Sequence, residues 1–252
     1  MEQDQLEPPS RSLTRLGGAL YLIIILGGLF GEALIRNRMI VPADASATAA
    51  NIKSMESLWR IGIAGEFFML MCTTCLALIF YKLLRPVSKD LAMLVVFFNL
   101  ISVAIEAVNE QHLLAALFPL ANAESLKLFQ PEQLHAMTAL TLKSYSYGFG
   151  ISLIFFGFEC ILLGYLIFKS GFFPRTVGVL MAIAGACYLI NSFALITAPR
   201  VSSMLFPTIL IPAFIGEAAF CFWLLAKGVN ASAWSRRAAV QVAPVPPPLI
   251  KT

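Results

Sequence analysis

Two glutamates lie deep inside apolar stretches of this sequence, where an acidic side chain could bind a proton or a cation. Glu159 and Glu217 each stand about ten residues from the nearer end of an apolar stretch. At about 1.5 Å per helical residue, both lie roughly 15 Å deep, near the middle of a bilayer. Neither stretch carries a Lys or Arg at that depth, so each carboxyl group must be protonated, hydrated or paired with a bound cation.

A second group of acids lies near the opposite boundary of the apolar stretches. Glu66 and Glu106 fall at equal depth there, and we predict that they face one another with Arg60 or Arg36 in reach. The predicted ligand-binding residues are Glu159, Glu217, Glu66, Glu106, Glu110 and Arg60.

A structural interpretation of these acids stays open. The outer acids could form structural pairs with arginine. The two deep acids could be separate, each bonded to its own polar neighbour, and the available neighbours are Asn99, Tyr188 and Asn191.

No motif in the sequence indicates catalysis, a metal or a cofactor. A metal site needs three or four convergent ligands, and His112 and His135 are the two histidines of the chain. No Ser–His–Asp or Cys–His arrangement has a recognisable motif, and the pair Cys72 and Cys75 lacks a surrounding thioredoxin pattern. We therefore predict no catalytic residue, no metal and no cofactor, which counts against an intramembrane enzyme acting on lipid.

The elements that carry these acids are six apolar stretches. The chain is 59% hydrophobic and 13% charged, whereas soluble domains carry about 25% charge. Stretches long enough to cross a bilayer as helices read Leu16–Ile35, Ile61–Tyr81, Leu91–Glu110, Phe149–Phe168, Thr176–Thr197 and Met204–Ala226. The sequence predicts an all-α polytopic membrane protein with a bundle of six transmembrane helices over residues 15–230. Residues 1–14 are predicted to be a disordered cytoplasmic N-terminus, and residues 231–252 a Pro-rich cytoplasmic tail.

The distribution of basic residues predicts the orientation. Of the 18 Lys and Arg residues, eleven fall on the side of the N-terminus when the stretches alternate in direction. By the positive-inside rule, both termini face the cytoplasm, and we expect a bacterial inner (plasma) membrane. In such a chain the net charge of +4 gives no reason to expect a nucleic-acid partner, and the surrounding partner is the lipid bilayer.

The third apolar stretch continues as a helix beyond the membrane boundary. Helical character persists to Phe118, Pro119 then breaks it, and Pro131 begins the next helix. We predict that residues 109–142 form an outward helical hairpin whose apolar face could dock a protein or lipid partner. Asp44 and Ser46 are candidate caps of a short helix after the first stretch.

Several longer segments of the chain resemble one known family. They read "ATAANIKSMESLWRIGIAGE", "YKLLRPVSKDLA", "FFGFECILLGYLIFKSGFFPRTVGVLMAIAGACYLINSF" and "FCFWLLAKGVN". This pattern is similar to the bacterial membrane family called domain of unknown function 4386 (DUF4386), over about residues 13–230. The resemblance implies a six-helix integral membrane domain, and it supplies no activity, cofactor or catalytic residue.

Two functions follow as hypotheses. In the first, the protein binds or transports a proton, a cation or a small cationic solute through its buried glutamates, because acids at membrane depth usually serve function. In the second, it is a non-catalytic partner or sensor that docks a protein or lipid through the hairpin.

Overall fold

A computed structural model describes residues 7–121 and 123–242, and the chain is helical over nearly all of them. The helices are α1 (Arg11–Phe30), α2 (Asn37–Met39), α3 (Ala45–Ser54), α4 (Glu56–Leu84), α5 (Lys89–Asn109), α6 (Gln111–Ala115), α7 (Pro131–Ser170), α8 (Arg175–Thr197), α9 (Pro199–Leu205), α10 (Leu210–Ala226) and α11 (Ala231–Val242). A π-helical turn, Gly31–Arg36, joins α1 to α2. Short 3₁₀ turns, Phe118–Leu120 and Glu124–Leu128, lie between α6 and α7.

The predicted all-α membrane bundle is confirmed. Five helical stretches of the described residues are long and apolar enough to cross a membrane, and α9 with α10 supplies a sixth as a pair bent by 57°. The sixth stretch, predicted as Met204–Ala226, contains a break. Pro207 lies in the break between α9 and α10, where a proline cannot supply the backbone N–H that a continuing helix needs.

The spanning helices alternate in direction, so the bundle has two ends. We call the end where α1 begins the N-terminal end, and the opposite end the far end. Helix α7 has 40 residues, or roughly 60 Å at 1.5 Å per residue, about twice the thickness of a hydrocarbon core. Its first turns therefore extend beyond the bundle at the far end.

These first turns of α7 pair with α5 and α6 as the predicted helical hairpin. The hydroxyl of Thr138 donates to the carbonyl of Ala116, 3.2 Å away, and joins the two arms. The apolar face of the hairpin is not free, because Leu113, Ala116 and Leu117 are buried in the chain's own far-end core. The indole N–H of Trp59 donates to the carbonyl of Leu113 at 2.9 Å and fixes this contact.

The helix predicted after the first span also lies at the far end, and it helps to cover the hairpin. Asp44 caps α3, because its carboxylate accepts from the backbone N–H of Ala47 at 2.8 Å. Ile52 of α3 is fully buried in the same core as Leu113. The short helix thus folds back over the bundle.

A larger apolar core fills the N-terminal half of the bundle. Four aromatic rings meet at its centre, where Phe220 stacks on Phe80 at a centroid distance of 5.3 Å and meets Phe173 at 5.5 Å and Tyr21 at 6.3 Å. These rings belong to α1, α4, α10 and the turn between α7 and α8. The core therefore closes the bundle at this end.

The boundaries predicted for the terminal segments need correction. Helix α1 begins at Arg11, capped by Ser10, so the helical region starts within the predicted N-terminal segment 1–14. The predicted tail 231–252 begins with α11, whose Trp234 is buried and donates to the carbonyl of Leu83 at 2.9 Å. A buried indole that finds a polar partner stabilises such a short helix. The Pro-rich residues 243–252 lie outside the described residues.

Glycines bring four of the spanning helices into backbone contact. An added Cβ on Gly164 of α7 would lie 2.6 Å from the backbone nitrogen of Ala182 on α8. Gly216 of α10 comes equally close to the backbone of α8, and Gly18 of α1 to the backbone of α10. Small residues permit such close packing inside a membrane, so α7, α8, α10 and α1 form one tightly packed row.

Candidate functional site

Polar side chains line the contact between α5 and α7. On α5 they are Asn99, Ser102, Glu106 and Asn109, spaced three, four and three residues apart. On α7 they are Tyr145, Ser152 and Glu159, spaced seven apart. Each spacing keeps its residues on one helix face. We call these seven residues the polar seam.

Hydrogen bonds join the two sides of the polar seam. The Ser152 hydroxyl donates to Oε2 of Glu106 at 2.8 Å, and the Ser102 hydroxyl donates to the backbone carbonyl of Ser152 at 3.0 Å. The side-chain amide of Asn109 donates to the backbone carbonyl of Tyr145 at 3.1 Å. The polar seam thus follows α7 for 14 residues, or roughly 21 Å of bundle depth.

Glu159 ends the polar seam near the middle of the bundle. It is 1% exposed, and the amide nitrogen of Asn99 lies 3.0 Å from each of its carboxylate oxygens. Neither partner is a cation, so the carboxyl group depends on a neutral donor.

Glu217 lies in the same part of the bundle, on α10. Its carboxylate accepts from the hydroxyl of Tyr21 at 3.2 Å and from the hydroxyl of Tyr188. The two deep acids are therefore bonded to separate polar neighbours, and no hydrogen bond joins them. The ring of Tyr188, which bonds to Glu217, packs on Phe156 of α7 at a centroid distance of 5.3 Å, one helical turn from Glu159. Asn191, which was also considered as a neighbour, bonds with Ser202 instead.

At the far end, the polar seam meets a cluster of charged residues around Arg36. Arg36 forms ion pairs with Glu66 at 2.7 Å and with Glu32 at 2.8 Å, and it lies 3.5 Å from the hydroxyl of Tyr145. The π-helical turn carries both Glu32 and Arg36, and such turns often occur at functional sites. The neighbouring Gly31 leaves room for Glu66, because a Cβ there would lie 2.7 Å from its Oε1.

Glu110 follows Asn109 of the polar seam and caps the C-terminal end of α5. It is fully buried, and neither of its carboxylate oxygens has a hydrogen-bond partner. The Oδ1 atoms of Asn99 and Asn109 also lack partners. Buried acceptors without donors are costly, and the four unpartnered oxygen atoms here can each accept a hydrogen bond from a further donor.

The predicted site residues are thus distributed unequally. Glu66 pairs with Arg36, Glu106 bonds to Ser152, and Glu110 ends α5 at the same end of the bundle, whereas Glu159 and Glu217 lie deeper. Arg60 does not join them: it is exposed on α4 and pairs with Glu56 at 2.8 Å within its own helix. Its position on α4 turns Arg60 away from the bundle interior. Of the two arginines predicted beside the outer acids, Arg36 is the one that pairs with Glu66.

The ring of His112 bonds within its own segment, and the ring of His135 on α7 bonds to α3. The Nδ1 atom of His112 lies 3.1 Å from the carbonyl of Asn109, and that of His135 lies 3.0 Å from the hydroxyl of Ser46. Over residues 7–121 and 123–242, no group of three or more His, Cys, Asp and Glu side chains is placed to hold a metal ion.

Four residues of the site were missed from the sequence: Tyr21, Ser102, Tyr145 and Ser152. A seven-residue spacing of polar side chains on α7 was the available signal for two of them, because it marks one helix face. Ser102 shares such a face with Asn99 and Glu106. No sequence signal connects Tyr21 to Glu217, since 196 residues separate them.

Comparison with known proteins places the chain in a family. A model of the family described as "Domain of unknown function (DUF4386)" matches residues 16–228. An uncharacterised protein of Archaeoglobus fulgidus is 31% identical over 166 residues, which are 66% of this chain and 83% of that protein. No solved structure matches the chain. The chain therefore belongs to the DUF4386 family of membrane proteins, as its sequence motifs had indicated.

Proposed function

We propose that this membrane protein takes up protons at the far end and passes them along the polar seam to Glu159 and Glu217. The observation that carries the proposal is the polar seam itself, in which the Ser152 hydroxyl donates to Glu106 and the Ser102 hydroxyl donates to the backbone carbonyl of Ser152. Carboxyl and hydroxyl groups that share an apolar interior are the usual components of proton relays in membranes. Four unpartnered acceptor atoms along this path supply places for a proton or a donor.

The size of the cavity beside Arg36 favours a proton over a larger solute as the transported species. A cavity of about 10 Å³ is lined by Arg36, Glu66, Gly31 and Trp59, among others. A volume of this size holds about one water molecule. A water-sized entrance suits transfer of protons through hydrogen bonds, and it is too small for an organic cation.

The aromatic core closes the proposed path at the N-terminal end. Phe80, Phe173 and Phe220 pack beyond Glu217 toward that end. A proton that reaches Glu217 is therefore held until this packing loosens. Binding at the far end and release at the N-terminal end would then occur in different conformations, which prevents a continuous leak.

For the cellular setting, we propose a plasma membrane with both termini in the cytoplasm. The basic residues at the starts of α1, α5 and α8 support this orientation through the positive-inside rule. A test replaces the five native cysteines and introduces Glu7→Cys or Glu124→Cys, one at each end. An impermeant thiol reagent added to intact cells should label only the second variant. Labelling of the first variant without permeabilisation would reverse the orientation.

Proton uptake into liposomes tests the proposed function. Purified protein is reconstituted with a pH-sensitive dye inside, and a potassium diffusion potential drives protons inward. The double variant Glu159→Gln and Glu217→Gln should reduce acidification to the rate of protein-free liposomes, because neither amide can take up a proton. The control Glu56→Gln removes an exposed acid and should keep the wild-type rate. Wild-type acidification by the double variant would refute the proposal.

A docking role for the hairpin remains the second candidate. Its tip exposes two large apolar residues, Phe118 at 69% and Leu128 at 87%. If a partner covers this tip, Phe118→Ser with Leu128→Ser should lower the mass of the native complex extracted from membranes. An unchanged mass in native gels would count against a partner there.

A further inference from the structure

A small basic pocket lies at the N-terminal end of the bundle, on the side opposite the proposed proton entrance. It is formed where α1 begins and α10 ends. Its lining includes the cations Arg11, Arg15 and Lys227, together with Thr14 and Gly228. Arg11 and Arg15 are four residues apart and share one face of α1.

The backbone at the end of α10 builds this pocket. Gly228 has a φ of +66°, a conformation that favours glycine. A Cβ at this position would also lie 2.8 Å from Oγ1 of Thr14. The carbonyl of Gly228 is held by the indole N–H of Trp223 at 3.0 Å. Together these contacts bring Lys227 next to the first turns of α1, so three basic residues line one pocket.

Among the described residues, no acidic side chain forms an ion pair with a cation of the pocket. The ion pairs between described residues involve Glu32, Glu56, Glu66 and Glu124. These four glutamates lie toward the far end of the bundle. None of these ion pairs includes Arg11, Arg15 or Lys227. Three neighbouring cations without such partners repel one another, and a bound anion would relieve that repulsion.

The position of the pocket indicates which anion it takes. Leu16 follows Arg15 directly, begins the first apolar stretch and is half exposed. Headgroup phosphates of a bilayer lie at this boundary between cationic and apolar residues. An arginine guanidinium binds a phosphate through two parallel hydrogen bonds, and a lysine adds a point charge.

We infer that Arg11, Arg15 and Lys227 form a binding site for the phosphate headgroup of an anionic phospholipid. The acyl chains of that lipid lie along the apolar sides of α1 and α10, which pack together below the pocket at Gly18 and Leu225. Basic pockets between spanning helices bind anionic lipids in this way. The inference does not depend on proton uptake at the other end.

Native mass spectrometry of the full chain in neutral detergent tests the site. Phosphatidylglycerol should bind as a discrete adduct, and phosphatidylcholine or inorganic phosphate should not bind at the same concentration. The triple variant Arg11→Gln, Arg15→Gln and Lys227→Gln should lose affinity for phosphatidylglycerol by roughly a hundredfold, because each juxtamembrane cation contributes about 1 kcal/mol and about 1.4 kcal/mol is tenfold in affinity.

The matched control removes three other cations from the same end, Lys82→Gln, Lys89→Gln and Arg175→Gln, and should retain the adduct. An equal loss of affinity in both triple variants would show a diffuse surface charge and overturn the site. Binding of inorganic phosphate as tightly as lipid would overturn the lipid assignment. If the triple variant does not fold, the single variant Lys227→Gln is compared with Lys82→Gln by the same measurement, and equal affinities would overturn the site.

Discussion

The amide nitrogen of Asn99 lies 3.0 Å from both carboxylate oxygens of Glu159, while its own Oδ1 has no partner. The side-chain amide of Asn99 therefore donates hydrogen bonds but accepts none. A protonated Glu159 has a hydroxyl to donate, and a half-turn of the Asn99 amide would present Oδ1 to accept it. One asparagine can thus serve both charge states of the acid without moving a helix.

Replacing Asn99 tests its importance for Glu159. We expect Asn99→Leu to lower the free energy of unfolding by about 1–3 kcal/mol, because it leaves a buried carboxyl group without its donor. Adding Glu159→Leu to this variant should restore most of that loss, since both polar partners are then gone. Thermal unfolding in detergent measures both. Equal destabilisation by the single and double variants would contradict the pairing.

Ser152 is the hydroxyl that joins Glu106 to the rest of the polar seam. We expect Ser152→Ala to slow acidification in the liposome assay by about tenfold, within the range that positioned proton-transfer groups contribute. Ser144→Ala is the control on the same helix, since Ser144 is exposed and bonds only to its own helix. A wild-type rate for Ser152→Ala would place the proton path elsewhere.

Arg36 and Arg60 differ in burial, and their variants should differ accordingly. Arg36→Gln leaves the largely buried Glu66 without its cation, which should cost about 3–5 kcal/mol of stability. Arg60→Gln breaks an exposed pair with Glu56 and should cost at most about 1 kcal/mol. Unfolding by denaturant in mild detergent compares the two. Similar losses would mean that the Arg36 pair is as well hydrated as the Arg60 pair.

Two glycines allow a test of the backbone contacts. Gly164→Ala places a methyl group 2.6 Å from the backbone of α8, and we expect a loss of about 1–3 kcal/mol from overpacking. Gly65→Ala meets nothing within 4 Å, so stability should change by less than about 1 kcal/mol. The melting temperatures of the two variants check this difference, and equal values would argue against close packing of α7 and α8.

The fold could be predicted from the sequence because lipid restricts it so strongly. Apolar length alone identifies five of the spans, since a spanning segment must satisfy its own backbone hydrogen bonds. The break at Pro207 could not be placed in the same way, because apolar composition continues through it. Helix α11 was also missed, because the prolines that follow it led to the whole segment being assigned as a tail, and because the buried contact between Trp234 and Leu83 joins distant parts of the chain.

For the site, the sequence predicts how deep each residue lies in the bundle, but not which way its side chain points. Counting residues placed Glu66, Glu106 and Glu110 at one level and Glu159 and Glu217 at another. Which way each side chain points depends on the rotation of its helix within the bundle. Packing between distant segments sets that rotation. It turns Arg60 outward, whereas Arg36, on the π-helical turn, pairs with Glu66.

The distribution of glycine also has a mechanical meaning. Helices α1, α7, α8 and α10 meet through backbone contacts at Gly18, Gly164 and Gly216, so they can hardly slide past one another. Helix α5 contains no glycine and meets α7 through side chains, as does its neighbour α4 with α1. Four helices are thus joined backbone to backbone, two are held by side-chain contacts, and the polar seam lies at the boundary between these two groups.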